Sequence, residues 1–209
     1  MGAWRDFSEA IWHFPFYFGL SYPMNAGLAQ PFWLDPKAVN PRPWRRGFIN
    51  SLDQMDLGEK MTRGGDGKEN RARLQEFQSL WDQGLAKMRQ AVAAAPALIR
   101  ERAEDNWRTA RTIGDKGAMT LRLARWFDAR GRLQTASTSA EKNAALDELE
   151  KIGREELAAD RAALPLYLRD SRMGHLNHGR GCFTAMSILD KIDALHKTLD
   201  EELPRLRKP

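Results

Sequence analysis

Near the C-terminal end, His175, His178 and Cys182 stand at spacings that suit a metal ion, with Asp170 close enough in sequence to serve as a fourth ligand. Zinc takes imidazole, thiolate and carboxylate ligands in a tetrahedral shell. Gly179 and Gly181 loosen that set, and Arg180 would place a repelling charge beside the ion. We therefore expect no metal and no cofactor. The surrounding stretch, residues 167–175 (YLRDSRMGH), is too polar and too Gly-marked for a core helix. Within it Asp170 suits the backbone N–H groups of a loop, and Arg172 suits a carboxylate or an aromatic face.

Acid–base chemistry needs carboxylates held in contrasting surroundings. Asp147, Glu148, Glu150, Glu155 and Glu156 crowd one charged helix and read as solvated. Glu9 differs, because Phe7, Ile11 and Trp12 flank it and nearby rings raise a carboxyl pKa by desolvation. One such carboxylate is not a mechanism, and a hydrogen bond at a helix start is its plainer role. The Ser, His and Cys residues show no separable nucleophile–base pair. Residues 62–68 carry glycines, but lack the preceding strand and the Gly-Lys-Ser/Thr of a phosphate loop. No catalytic residue is assigned.

Whatever these side chains do, helices must position them. Leu74, Phe77, Leu80, Trp81, Leu85, Met88 and Val92 recur at helical spacing, one apolar stripe of a helix beginning near residue 69. Pro96 turns the chain into a second, long helix. Its inner face carries Ala103, Trp107, Ala110, Ile113, Gly114, Gly117, Leu121 and Ala124. Each glycine costs about 1 kcal/mol in a helix interior, so the pair implies close approach of a neighbouring helix. Residues 131–139 read as a loop. Thr138 and Glu141 then form a capping box that opens a third helix, running to about residue 163 on Leu146, Leu149, Ile152, Leu157 and Leu164. A fourth helix follows Thr184, with Ile188, Leu189, Ile192, Leu195, Leu199 and Leu203 inward, and Pro204 ends it before a frayed tail. The expected fold is mainly α, an antiparallel bundle of about four helices.

Residues 1–62 form an aromatic, Pro-rich segment distinct from the bundle domain of residues 63–209. The first fifty residues hold 12 of the 19 aromatics and 6 of the 10 prolines, which forbids a long helix there. Residues 4–12 admit one short helical piece, and the rest reads as irregular, packed chain. Such rings need cover from the helices or from another surface. Stacking on a ligand is their other use.

Composition narrows the classes. The 209 residues, 42% hydrophobic and 29% charged, describe a globular chain with room for one core. Cys182 is the single cysteine, so no intramolecular disulfide forms and the redox compartment stays undetermined. A net charge of +5 invites a nucleic-acid reading. The nine basic side chains of residues 100–132, however, are interspersed with five acids, as on a solvated face of i,i+4 pairs. We expect no nucleic-acid partner. The longest apolar run, residues 11–20, is broken by His13, Pro15 and Gly19 and is too short for a membrane span. Residues 1–6 lack the regions of a signal peptide. An aromatic-rich start reads as the middle of a folded unit, so we expect a piece of a larger protein, with its localisation undetermined.

Several blocks resemble a known family. Phe7-Ser-Glu-Ala, Phe14-Pro-Phe16 and Tyr22-Pro-Met-Asn-Ala-Gly27 resemble the end of the catalytic barrel in large bacterial glycoside-hydrolase-like proteins, the group akin to α-glucuronidases and β-hexosaminidases. Trp81-Asp-Gln-Gly84-Leu, Arg102-Ala-Glu104 and Arg169-Asp-Ser-Arg-Met-Gly174 are similar to the helical domain that follows that barrel. The sequence departs after Gly174, where His175-Leu-Asn-His-Gly-Arg-Gly181 replaces an acidic or aromatic continuation, and the barrel is not among these residues. The resemblance implies a non-catalytic C-terminal helical domain of a carbohydrate-active protein. Asp170, Arg172, His175 and Trp33 would then lie at the rim of a sugar cleft or at interdomain contacts. It also implies the upstream barrel, and carbohydrate, as partners. The residues alone leave a self-standing helical binding or scaffold module open, dimeric through its aromatic face.

Overall fold

Apolar stripes at helical spacing decide where the chain becomes regular. The computed structural model describes residues 2–14, 32–35, 67–170 and 185–208. Its elements are α1 (Gly2–His13), α2 (Gly67–Ala93), α3 (Ala97–Thr135), α4 (Ser139–Arg169) and α5 (Ala185–Lys197). A π turn (Thr198–Glu202) continues α5 into α6 (Leu203–Arg207). The fold is mainly α, as the spacing predicts, with no strand among the described residues. Each of the first five helices packs on its sequence neighbour. Phe7 meets Gly84 while Phe14 meets Phe77, and Arg71 meets Asp128 while Arg89 meets Glu104, so neighbours run antiparallel. The core runs through Leu74, Met119, Leu123, Trp126, Leu146, Leu149, Ile152 and Ile188, all fully buried.

Rings seated on glycines set the spacing of the first three helices. A Cβ on Gly114 would stand 2.8 Å from Trp81, and one on Gly84 would stand 2.5 Å from the Phe7 ring. The close approach expected at Gly114 and Gly117 is therefore present, and Gly84 supplies the seat for α1. Trp81 Nε1 donates to the Ala110 carbonyl at 2.8 Å, which joins α2 to α3 across that contact.

Helix ends depart from the sequence reading in three places. The expected loop over residues 131–139 shrinks, because α3 continues to Thr135. Leu133 packs on the core there, and that burial outweighs the modest helix cost of Gly131. The Thr138–Glu141 capping box then opens α4, with Thr138 Oγ1 accepting from Glu141 N at 3.2 Å and Glu141 Oε2 accepting from Thr138 N at 3.1 Å. Next, α4 runs through Pro165 to Arg169 and buries Tyr167, well past residue 163. Finally, Pro204 does not end the last helix. In the π turn Leu203 N donates to Thr198 O, and Pro204 falls at the start of α6, where a missing N–H costs little. The tail through Arg207 is helical, with Arg207 paired to Asp147 at 2.7 Å and to Glu150 at 3.1 Å. Ile113, expected inside, is 37% exposed, and Thr112 takes the buried position.

Residues 32–35 dock as a short irregular strap. Phe32 is buried against Trp126, with ring centroids 5.4 Å apart. The Trp33 carbonyl accepts from Trp126 Nε1 at 3.0 Å and from Arg130 at 3.1 Å.

Candidate functional site

Asp170 caps the C-terminal end of α4, its N–H donating to the Leu166 carbonyl at 3.1 Å. Ser171, Arg172, His175, His178 and Cys182 lie outside the described residues. Trp33 binds α3 through its carbonyl at the level of residues 126–130, whereas Arg169, beside Asp170, reaches Glu101 at 3.7 Å. Those two levels of α3 are roughly 40 Å apart along a helix, so the structure does not bring Trp33 and Asp170 together. Glu9 is not enclosed by rings. It is exposed on the middle of α1, 3.8 Å from His13 Nε2.

The most unusual chemistry lies where α3, α4 and α5 meet. Glu156, read from sequence as solvated, is fully buried, as are Asp160 and Lys191. Glu156 accepts from both Arg122 and Lys191. Lys191 Nζ also lies 3.2 Å from an Asp160 oxygen, and 4.9 Å from the centre of the Phe32 ring. Burial raises the Glu156 pKa, but Lys191 and Arg122 outweigh it and hold the carboxyl below its ordinary value. Asp160 has no arginine of its own to match its desolvation. Burial, aided by repulsion from Glu156, pushes it up to about 8 even with Lys191 beside it. One lysine thus serves two carboxyls, with Glu156 held below and Asp160 pushed above the ordinary carboxylate range. Tyr167 is raised too, by burial and by the carboxyls of Asp115 and Asp160. Enclosed among helices, this cluster fixes the register of α3, α4 and α5 and offers no open face to a substrate.

A groove of about 320 Å³ runs between α2 and α3. Asp82 and Asp115 line it, both raised mainly by burial. Each already has a partner. Gln78 Nε2 donates to Asp82 at 2.9 Å, and Arg111 Nε donates to Asp115 at 2.6 Å. Arg89 lies 4.7 Å over Trp107 and donates to both Glu104 oxygens. The groove lining lacks a thiol, an imidazole and a hydroxyl, and its two carboxyls are both engaged by side-chain donors. Among the described residues no cluster of His, Cys, Asp and Glu could hold a metal ion, and no helix is long and apolar enough to cross a membrane.

The third feature is a surface. Phe7, Ala10 and Phe14 turn α1 towards α2, with Phe7 stacking near Trp81 at 4.6 Å and Phe14 near Phe77 at 5.3 Å. Asp6 and Lys87 pair at 2.6 Å, and Arg73 donates to the Trp12 carbonyl at 3.2 Å, so both ends of α1 are tied. Its apolar arc is wider than α2 covers. Trp4 is 62% exposed, Ile11 47% and Trp12 79%. The wheel that turns Phe7 and Ala10 inwards places the open half beside them. Compared with family models, curated proteins and solved structures, this chain matches none of them.

Proposed function

We propose that this chain is a non-catalytic helical module that recognises a protein partner through the outer flank of α1. The observation that carries this is the uncovered row of Trp4, Ile11 and Trp12 on a helix anchored to the bundle at both ends. Two large indoles in water are costly, and contiguous apolar surface of this kind is what protein partners cover. The buried cluster and the glycine seats then serve to hold that face rigid. Catalysis, the alternative use, would fall to Asp82 and Asp115 in the groove, and each of these is already held by a side-chain partner.

The motif likeness around residues 169–174 supports a second reading, in which the module stands C-terminal to a sugar-cleaving barrel and the same face meets the barrel's end. Either partner requires the face to be open in the free chain. Acrylamide quenching of tryptophan emission at high dilution tests this, with Trp4→Phe and Trp12→Phe assigning the signal. The most quenchable emission should vanish in the double variant. If quenching is unchanged there, the chain covers its own α1 face and has no such docking surface.

A further inference from the structure

We propose that the occupant of this face is a second copy of the chain, docked as an antiparallel α1–α1 pair about a two-fold axis beside Ser8. This rests on the protein-binding role given to α1 above and names its partner. An α-helix turns about 100° per residue, which gathers Trp4, Ser8, Ile11 and Trp12 into one arc about 100° wide. Trp4 and Trp12 stand four residues to either side of Ser8. Against an oppositely directed second copy, each Trp4 meets the other's Trp12, and the two Ser8 side chains meet at the centre. Indoles pair favourably edge to face or offset. A small residue at the crossing point lets the helix axes approach to the usual 8–10 Å, about the minimum for packed helices.

Charge fixes the direction of the pair. Arg5 and Glu9 are both exposed and border the same side of the apolar arc. A perpendicular two-fold brings the like flanks of both copies to one side. Each Arg5 then lies about 3 Å along the axis from the other copy's Glu9, giving two equivalent ion pairs beside the apolar seam. A parallel pair would put these flanks on opposite sides and match neither charge. The exposed parts of Trp4, Ile11 and Trp12 offer roughly 400 Å² per copy, so the pair buries roughly 800 Å² from them. Stable interfaces bury about 1,200 Å² or more, which makes this a reversible, concentration-dependent dimer.

Sedimentation of the full chain from low to several hundred micromolar, with acrylamide quenching at each concentration, tests the pair. A monomer–dimer equilibrium is expected, with Trp4 and Trp12 protected only in the dimer. Arg5→Glu should weaken association about tenfold, and Arg5→Glu/Glu9→Arg should restore it. In a Cys182→Ser background, Ser8→Cys should give a disulfide-linked dimer on mild oxidation, whereas Gln134→Cys should not. A monomer at every concentration with both indoles quenchable overturns the second copy while leaving the face open to an unlike partner. A monomer with both indoles protected overturns the docking role as well. A dimer indifferent to the charge exchange overturns the antiparallel geometry.

Discussion

Glu156 and Asp160 lie one helical turn apart on α4, share a lysine, and shift in opposite directions because Arg122 bonds Glu156 directly and acts on Asp160 only from a distance. For Glu156, the lowered folded pKa contributes stability above the ordinary glutamate value, lost as pH falls through the folded value. Asp160 has the opposite sign. Its folded pKa of about 8 exceeds the ordinary 3.8, so its contribution is complete in acid and is lost as pH rises towards about 8. Asp160→Asn removes that loss and keeps an acceptor for Lys191. Its melting temperature relative to the parent should therefore climb from acid to about pH 8 and then level off. A constant offset across that range would mean Asp160 does not titrate there. Glu156→Gln should instead cost about 3–5 kcal/mol in urea unfolding at neutral pH, since it removes the anion between buried Lys191 and half-buried Arg122. These positions were legible by phase though not by type. Leu149, Ile152, Glu156, Asp160, Ala163 and Tyr167 form one inward stripe, as do Ile188, Lys191 and Leu195. Reading residues 147–156 by their charge alone hid this.

At the scale of the helix, what the sequence makes plain is the interior of each element, and what it obscures is the ends. Apolar period and the capping box located α2, the start of α4 and the start of α5, because both are local signals. Helix continuation past Gly131 and Pro165 is decided by distant packing of Leu133 and Tyr167, and past Pro204 by the pairing of Arg207 with α4, none of which local propensity contains. Glycines separate the two kinds of cause. Gly84→Ala places a methyl 2.5 Å from the Phe7 ring, so α1 must shift off α2 at a cost of about 1–3 kcal/mol. At Gly131 a Cβ meets nothing within 4 Å, and Gly131→Ala should stabilise by about 0.5–1 kcal/mol through helix propensity alone. Paired urea titrations read both signs. Equal effects would mean that ring contact does not set the α1–α2 spacing. The outer flank of α1 was legible as aromatic and in need of cover. Which half α2 covers was not, since that depends on the seat at Gly84.

Across the whole molecule, neighbouring helices are joined in sequence order, while the strap of residues 32–35 reaches α3 and α5 together. Phe32 closes over Lys191 and against Trp126, so one side chain from the Pro-rich region completes the enclosure of the ion cluster. That region was read as needing cover, and at Phe32 it also supplies cover. The consequence is a coupling between strap and charge. Phe32→Ala should cost about 3–5 kcal/mol near neutral pH, the usual range for a buried ring. Water admitted at that position would also relieve the desolvation that raises Asp160, lowering its pKa towards the ordinary range. The parent's stability lost between about pH 5 and about pH 9 through Asp160 should then shrink in the variant, so the difference between the two narrows as pH rises. Trp126→Phe gives the contrast. It keeps an aromatic ring but removes the N–H donated to the Trp33 carbonyl and part of a fully buried side chain, which should cost about 2–3 kcal/mol, the same at either pH. Denaturant titrations of both variants at the two pH values decide the matter. A Phe32→Ala deficit that is the same at both would show that the strap packs on the bundle without sealing its charges from water.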